Sequence, residues 1–550
     1  MMLPEPLSKS FSSLLSDIEQ GQVKIPQFQR DFVWSLHKSA QLMDSVVKGY
    51  PIGAFIIWRT KERLRSVRNI GDFDLPEPRE GEYVDYVLDG QQRLTSLFAS
   101  LKGLTVKIDN REEDYSNIYI DLEASNEDDI VVIDVEELDE GKYIKIRDLL
   151  YGGLSLHAAY DQKYHSKLEE YKSIITSYSY SVIQLKNTSI DIATEVFTRL
   201  NVGGKPLTLF EIMVAKTYDA KREFDLAESF DDFIERLRPL NYETLSDASV
   251  LQTISVIIMQ ECKRKQILNL KKDAFIDVWD DAIDAMERAV EYFRGLYRIP
   301  VSKLLPYNAL IVPFAYFFYH HKDKPTDDKA KYLRDFFWRV SLSGRYSSGV
   351  EGKLAQDIKR IDSILKGNLP KYDWAIDVSP DFISDNGWFS AGRSFIKAIL
   401  GLLAYQQPKS FNDDSLVNIS NDWLKQANSK NYHHFFPKAY LLKQDEELFY
   451  INHIANITIV DDFLNKREIR ANPPSKYMAK FKNVNADLSR SMDTHLIHDL
   501  DQFGVWDDDY EVFFEQRLRA ISEQLEKRII PQEVDRESQA NLPSDYSDDQ

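Results

Sequence analysis

Two adjacent histidines, His433 and His434, precede Phe435-Phe436-Pro437, and two asparagines, Asn456 and Asn465, follow them. These residue types suit phosphodiester hydrolysis. Neutral imidazole is a base near pH 7, and an amide oxygen binds a hard divalent cation without adding charge that would repel phosphate. The four side chains converge if the segment folds back as a hairpin followed by a helix. One imidazole then takes a proton from water, while the second histidine and an amide oxygen hold the cation against the scissile phosphate. This is the layout of a one-metal nuclease site. Nine Lys and Arg stand against six Asp and Glu between Gln426 and Lys482, so the segment is locally positive, with Lys438, Lys466 and Arg467 as its DNA contacts.

A second group lies far upstream, in Tyr83-Val84-Asp85-Tyr86-Val87-Leu88-Asp89-Gly90-Gln91-Gln92-Arg93-Leu94. Alternation predicts a strand running into the turn pair Asp89-Gly90, and helical periodicity follows with Leu94, Leu97, Phe98 and Leu101. Free N–H groups at that helix start, beside Arg93, suit an anion such as phosphate. Asp89 either holds a magnesium ion or orients Arg93 through an ion pair, and a turn-forming role for Asp89-Gly90 stands beside these. Pro26 favours extended backbone before it, so the following segment presents Gln29 and Arg30 outward. The stretch Gly203-Gly204-Lys205-Pro206 is not a Walker A loop, because it lacks the earlier glycine and the hydroxyl after lysine. The run Arg59, Lys61, Arg63, Arg65, Arg68 is either a solvated face or a DNA contact.

Both groups need scaffolds. Hydrophobic content of 43% and aromatic content of 12% indicate a globular chain, and 550 residues suffice for two or three cores. The single cysteine, Cys262, excludes a disulfide framework and a thiolate zinc cluster and points to the reducing cytoplasm. Residues 1–20 are polar and broken by Pro4 and Pro6, unlike a secretory signal. The longest apolar stretch, 304–319, contains Pro306, Asn308 and Pro313 and reads as a buried helix rather than a membrane span. A net charge of −19 excludes a protein coated in nucleic acid but not a local DNA site. Strands are expected at 54–58, 118–122, 130–135 and 181–185, and helices at 39–48 and 195–201. His495 and His498, though spaced at i, i+3, read as structural. The expected class is α+β, with an α/β nucleotide domain at 1–208, a helical scaffold at 209–405, a nuclease domain at 406–530 and a disordered acidic tail at 531–550.

The order His433-His434-x-Phe-Pro, then Asn456, then Leu464-Asn465-Lys466, resembles the HNH (ββα-metal) endonuclease signature, which more often carries Asp at the position of His433. That resemblance implies His434 as general base, Asn456 as the residue orienting it, and His433 with Asn465 as ligands of Mg²⁺ or Mn²⁺. Pro26-x-Phe28-Gln29-Arg30 with Trp34, together with Leu88-Asp89-Gly90-Gln91-Gln92-Arg93-Leu94-Thr95, resembles the amino-terminal domain of GmrSD-type modification-dependent restriction enzymes. That family implies a ParB/sulfiredoxin-like fold that binds and hydrolyses a nucleoside triphosphate through Gln29, Arg30, Asp89, Gly90, Gln91, Gln92 and Arg93, with an HNH-type domain at the carboxyl end. The shared Phe-x-Arg-Leu-Asn segment adds Arg199 and Asn201. The implied protein is a nucleotide-regulated endonuclease acting on double-stranded, modified phage DNA, with ATP, GTP, CTP and UTP all open and a homo-oligomer compatible with the sequence. The alternative is a nucleotide-dependent DNA sensor whose HNH domain does not cut.

Overall fold

Four of the six residues of Val84–Asp89 are apolar and its first five are buried, as in a strand covered on both faces. In the computed structural model it is a central strand of a six-stranded mixed sheet. The structure describes all residues except 1–3, 27–28, 30–31, 65–66, 80, 109–110, 126–127, 137, 187, 189, 201–207, 220, 422–431, 461–468, 470 and 538–550. The chain divides into two compact units, Met1–Leu226 and Ala227–Gln550.

In the first unit the large sheet is built from β1 (Glu5–Ser10), β2 (Val23–Pro26), β3 (Phe55–Thr60), β4 (Val67–Asn69), β5 (Val84–Asp89) and β11 (Ser179–Lys186). Their order is β1-β11-β3-β5-β2-β4. β11 runs parallel to β3 and β2 parallel to β5, while the remaining pairs are antiparallel. Trp58 and Tyr86 are register partners across β3 and β5, and their rings lie 5.6 Å apart. The buried Asp85 on β5 is held by a bidentate pair from Arg59, at 2.6 and 2.7 Å, which raises the pKa of Arg59 through that hydrogen bond. The first cation of the basic run thus has a structural partner. Arg63 likewise donates to the carbonyls of Pro78 and Arg79, and Arg65 lies outside the described residues.

Helices cover the sheet. Ser10 caps α1 (Phe11–Glu19), and Ser35 caps α2 (Leu36–Val47), each through its hydroxyl. α2 packs against α3 (Gln91–Lys102) and the helix Gln162–Ser177. Smaller sheets use β6 (Thr105–Ile108) with β7 (Arg111–Asp114), and β8 (Tyr119–Asp121) between β9 (Val131–Val132) and β10 (Tyr143–Lys145). The helix α1 is preceded by a strand, β1, which periodicity does not reveal in the polar sequence Glu-Pro-Leu-Ser-Lys-Ser.

The second unit is mainly helical. Helices Lys272–Gly295 and Ile311–His320 pack against each other through Phe293 and Phe314, 4.8 Å apart. The expected 304–319 helix is therefore buried, with Pro313 near its start, where a missing N–H costs no intrahelical bond. No described helix is long and apolar enough to cross a membrane. A two-stranded ribbon, β12 (Tyr432–His434) and β13 (Ile457–Ile459), belongs to the same unit, and the helix Pro474–Val484 follows it. The expected disordered tail does not begin at Pro531. Helix Glu533–Glu537 is formed, and Asp535 accepts two bonds from the fully buried Arg339, at 2.6 and 2.9 Å. An acidic residue that neutralises a buried guanidinium cannot behave as solvated tail.

Candidate functional site

His434 ends β12 opposite Ile457 of β13. The connection between the strands, residues 435–456, contains short helices rather than a tight turn, including Lys438–Leu441 and Leu448–Ile451. It returns so that Asn452 meets the histidine, with Nε2 of His434 and Oδ1 of Asn452 at 3.0 Å. With Oδ1 as acceptor, the ring carries its proton on Nε2 and keeps the lone pair on Nδ1, the arrangement a general base needs. Burial lowers the pKa of His434, the nearby charge of Lys438 lowers it further, and the Asn452 bond opposes both.

Asn456 was expected to orient His434, but Asn452 makes that contact. The amide of Asn456, fully buried, grips the backbone: Oδ1 accepts from Phe436 N at 2.8 Å, and Nδ2 donates to the carbonyls of Phe436 and Ile451 at 3.0 and 3.1 Å. It therefore fixes the turn leaving β12 and acts on His434 at one remove. Sequence spacing suggested the right neighbourhood and the wrong asparagine, because only the path of 435–456 decides which amide reaches the ring.

His433 is 3% exposed and its ring lies 6.4 Å from that of Tyr477 on the following helix. Successive residues of a strand project to opposite faces, so the two histidines are separated by the ribbon's pleat. Tyr477 also donates its hydroxyl to Phe435 O at 2.5 Å, which ties the helix Pro474–Val484 to β12. Lys438 is exposed just beyond His434. Asn465, Lys466 and Arg467 lie outside the described residues. Among the described residues no three His, Cys, Asp or Glu side chains converge into a metal-holding group. The described donors beside His434 do not complete a shell for Mg²⁺ or Mn²⁺.

Three further contacts brace the ribbon. Phe389 N donates to Asn452 O and Ile454 N to Gly387 O, each at 2.8 Å, so residues 387–389 hold the backbone of Asn452 from outside. His453 is fully buried as a neutral ring, its Nε2 3.1 Å from the carbonyls of Ile383 and Ser384 and its Nδ1 accepting from Ala455 N; burial pushes its pKa down to about 4. Arg517 donates to the carbonyls of Ile457, on β13, and of His495. Sequence reading passed over Gly387, Asn452 and Arg517, which carry no motif. His495, expected to be structural, is 2% exposed, with Nε2 2.7 Å from Lys409 O.

In the first unit, β5 passes through Asp89 and Gly90 into α3, which begins at Gln91. Gly90 takes φ +95, and a Cβ there would meet Phe55 at 2.6 Å. Arg93 donates to Ile52 O at 2.7 Å, Ala54 O at 3.1 Å and Asp89 Oδ2 at 3.0 Å, and its guanidinium lies 5.4 Å from the Phe55 ring centroid. Gly53 makes room for it, since a Cβ there would lie 2.3 Å from Nη1. Of the two expected roles for Asp89, the ion pair with Arg93 is therefore formed. Its carboxylate remains 39% exposed, beside a helix start with no side-chain cap, where an oxyanion can be received.

The glutamines turn inward. Gln91 and Gln92 are buried; Gln92 accepts from Val33 N at 2.9 Å and donates to Gln91 at 3.3 Å. Gln29, expected to face outward, is buried and donates to Val87 O of β5. Arg199 is exposed on the helix Ile190–Leu200 and pairs with Glu195 one turn back, at 2.5 Å. Arg30 and Asn201 lie outside the described residues.

Over 543 residues, the chain is 24% identical to an uncharacterized protein of Methanocaldococcus jannaschii, a match covering 88% of this chain and 89% of that one. The similarity therefore runs through both units. Residues 11–218, nearly the whole first unit with its Asp89–Arg93 corner, match the family model of the GmrSD restriction endonuclease, N-terminal domain.

Proposed function

We propose that the protein is a restriction-type DNA endonuclease of antiphage defence, cutting at His434 and regulated by a nucleoside triphosphate bound near Asp89 and Arg93. The observation that carries this reading is the half-buried His434, with Nε2 engaged by Asn452 and Nδ1 left basic, on a ribbon that leads into a helix. The match of residues 11–218 to a restriction-endonuclease domain supports it. In the reaction, Nδ1 of His434 takes a proton from water, the water oxygen attacks phosphorus, and the bond from phosphorus to the leaving oxygen breaks. Asn452 keeps the ring in the required tautomer, and Asn456 holds the turn that delivers it. Mg²⁺ or Mn²⁺, when bound, neutralises charge on the phosphate. His433 and Asn465 would be its donors in this reading.

Lys438 supplies a charge for DNA phosphate, as do Lys466 and Arg467 in this reading. At the other site, Asp89 and Arg93 are assigned to triphosphate turnover. The substrate is double-stranded DNA carrying a phage modification. The test is nicking of modified and unmodified plasmids with Mg²⁺ or Mn²⁺ and each NTP, comparing wild type with His434→Ala. Loss of cutting in the variant, with its melting temperature retained, is expected. A variant that cuts as fast as wild type, or a wild type that cuts no DNA, overturns the nuclease assignment.

A further inference from the structure

Two clefts of the second unit are lined by adjacent residues, Tyr405 in one and Ala404 in the other, and their charge is opposite to that of the chain. The larger, about 530 Å³, is lined by Lys331, Arg334, Lys527 and Arg528, with Asp327 the one carboxylate in its wall. The other, about 410 Å³, is lined by Arg294 and Arg298 and by no carboxylate. In a protein of net charge −19 this is a local inversion, and phosphate binding follows where cations lie rather than their sum.

The cations are not used up by the fold. Lys331, Arg334 and Lys527 are exposed and enter no ion pair among the described residues. Arg528 is only 8% exposed, and no carboxylate among the described residues pairs with it. It donates to the main-chain oxygen of Gln524 and to its side chain at 3.2 Å, and its guanidinium lies 4.5 Å from the Tyr405 ring centroid. Burial pushes its pKa down to about 10. A buried cation without a counter-charge is unfavourable, and an anion entering the cleft would relieve it. Arg298 lies over the same Tyr405 ring at 5.2 Å. Tyr405, in the wall of the larger cleft, thus lies against a cation of each.

That wall is connected to the ribbon. Tyr405 ends the helix Ser394–Tyr405, which is roughly 18 Å long at 1.5 Å per residue and packs against β13, the strand paired with that of His434. We propose that the paired clefts are a phosphate-binding surface that holds the backbone of a DNA duplex for cleavage at His434. The identity of the polymer rests on the reading of His434 as a DNA-cleaving base; the phosphate chemistry does not. Phosphate could also come from a free nucleoside triphosphate, and the two sources are separable.

The test is fluorescence anisotropy of the full chain with a labelled duplex, in EDTA to prevent cutting, over a salt titration. It compares wild type with Lys331→Glu, Arg334→Glu, Lys527→Glu and the double variant Arg294→Glu/Arg298→Glu, each checked for unchanged melting. Each reversal is expected to weaken binding by about threefold to tenfold at low salt and to reduce the slope of log affinity against log salt by about one per lost contact. Unlabelled ATP or GTP should not displace the duplex. Wild-type binding that all four variants retain, in affinity and slope, overturns the inference and leaves the His434 reading intact. Reversals that abolish triphosphate binding but not duplex binding also overturn it, because the clefts would then serve the free nucleotide. A wild type that binds duplex through these residues but never nicks it supports the clefts and removes the nuclease reading.

Discussion

At the scale of single residues, the proposed cleavage turns on which nitrogen of His434 holds the proton. Asn452 Oδ1, 3.0 Å from Nε2, selects the tautomer, and burial keeps the ring neutral to lower pH than an ordinary histidine. The acid limb of the cleavage profile should therefore fall below about pH 6.5. Asn452→Asp introduces a carboxylate that stabilises the imidazolium, so the limb should move upward by about one pH unit or more. An unchanged limb in this variant, read from the pH dependence of single-turnover nicking, would separate Asn452 from the base. At the other corner, Asp89 and Arg93 respond differently to truncation. Asp89→Ala leaves Arg93 bonded to Ile52 O and Ala54 O, so triphosphate turnover should be lost with little change in melting. Arg93→Ala strands both carbonyls and should also cost about 1–3 kcal/mol of stability. Equal turnover by wild type and both variants, measured as phosphate release, would remove this corner from the nucleotide site.

At the scale of elements, the ribbon is too short to stand alone, since two strands of three residues bury almost nothing without support. It is held by Tyr477 from the following helix, by Arg517 of the helix Tyr510–Glu526, which donates to Ile457 O of β13, and by the 387–389 segment at Asn452. Gly387 faces the His453 ring so closely that a Cβ would meet it at 1.9 Å. Gly387→Ala should therefore cost about 1–3 kcal/mol by overpacking and shift Asn452, slowing nicking beyond what lost stability explains. Acid should weaken the same region. His453 and His495 are buried neutral, with burial holding each near pKa 4 in place of 6.5. The unfolded chain thus binds protons that the folded one refuses, and stability is lost as pH falls from about 6.5 to 4, by on the order of 3 kcal/mol for each histidine. Urea melts across that window check this, and His495→Phe should flatten part of the slope.

At the scale of the whole molecule, long-range polar closures hold the second unit together. Arg339 is fully buried between Asp335 and Asp535, two carboxylates distant from each other in sequence, and it also donates to Ile530 O. Truncation after Ile530 leaves the guanidinium half neutralised and should cost about 2–3 kcal/mol. Removal of residues 538–550 alone spares these contacts, so a melt comparing the two truncations separates a closing segment from a dispensable end. Net charge acts differently: −19 spread over the chain slows approach of DNA, which makes the local cationic clefts at Tyr405 matter more at low salt than at high.

Local chemistry in the chain was enough to locate what is short-range. Alternation in 83–88, the Asp89-Gly90 break and the apolar spacing after it specify a strand, a turn and a helix, because each depends on neighbours within a few residues. The pair of Asp89 and Arg93 is also short-range, joining the end of β5 to the first turn of α3 across the left-handed Gly90. The polar strand β1 escaped because it owes its conformation to pairing with β11, more than 160 residues away. The inward turn of Gln29 was likewise hidden, since its acceptor, Val87 O, belongs to a strand remote in sequence. Asp535 reads as solvated acid until Arg339, nearly 200 residues earlier, is found without other means of neutralisation at that end. The same holds at His434: its type and its place before Phe-Phe-Pro single it out as a candidate base, while the choice of Asn452 over Asn456 as its partner depends on how 435–456 packs against 387–389. Hydrogen bonding across the fold, unlike periodicity, leaves no local trace, and so the tertiary structure alone decided which side chains meet.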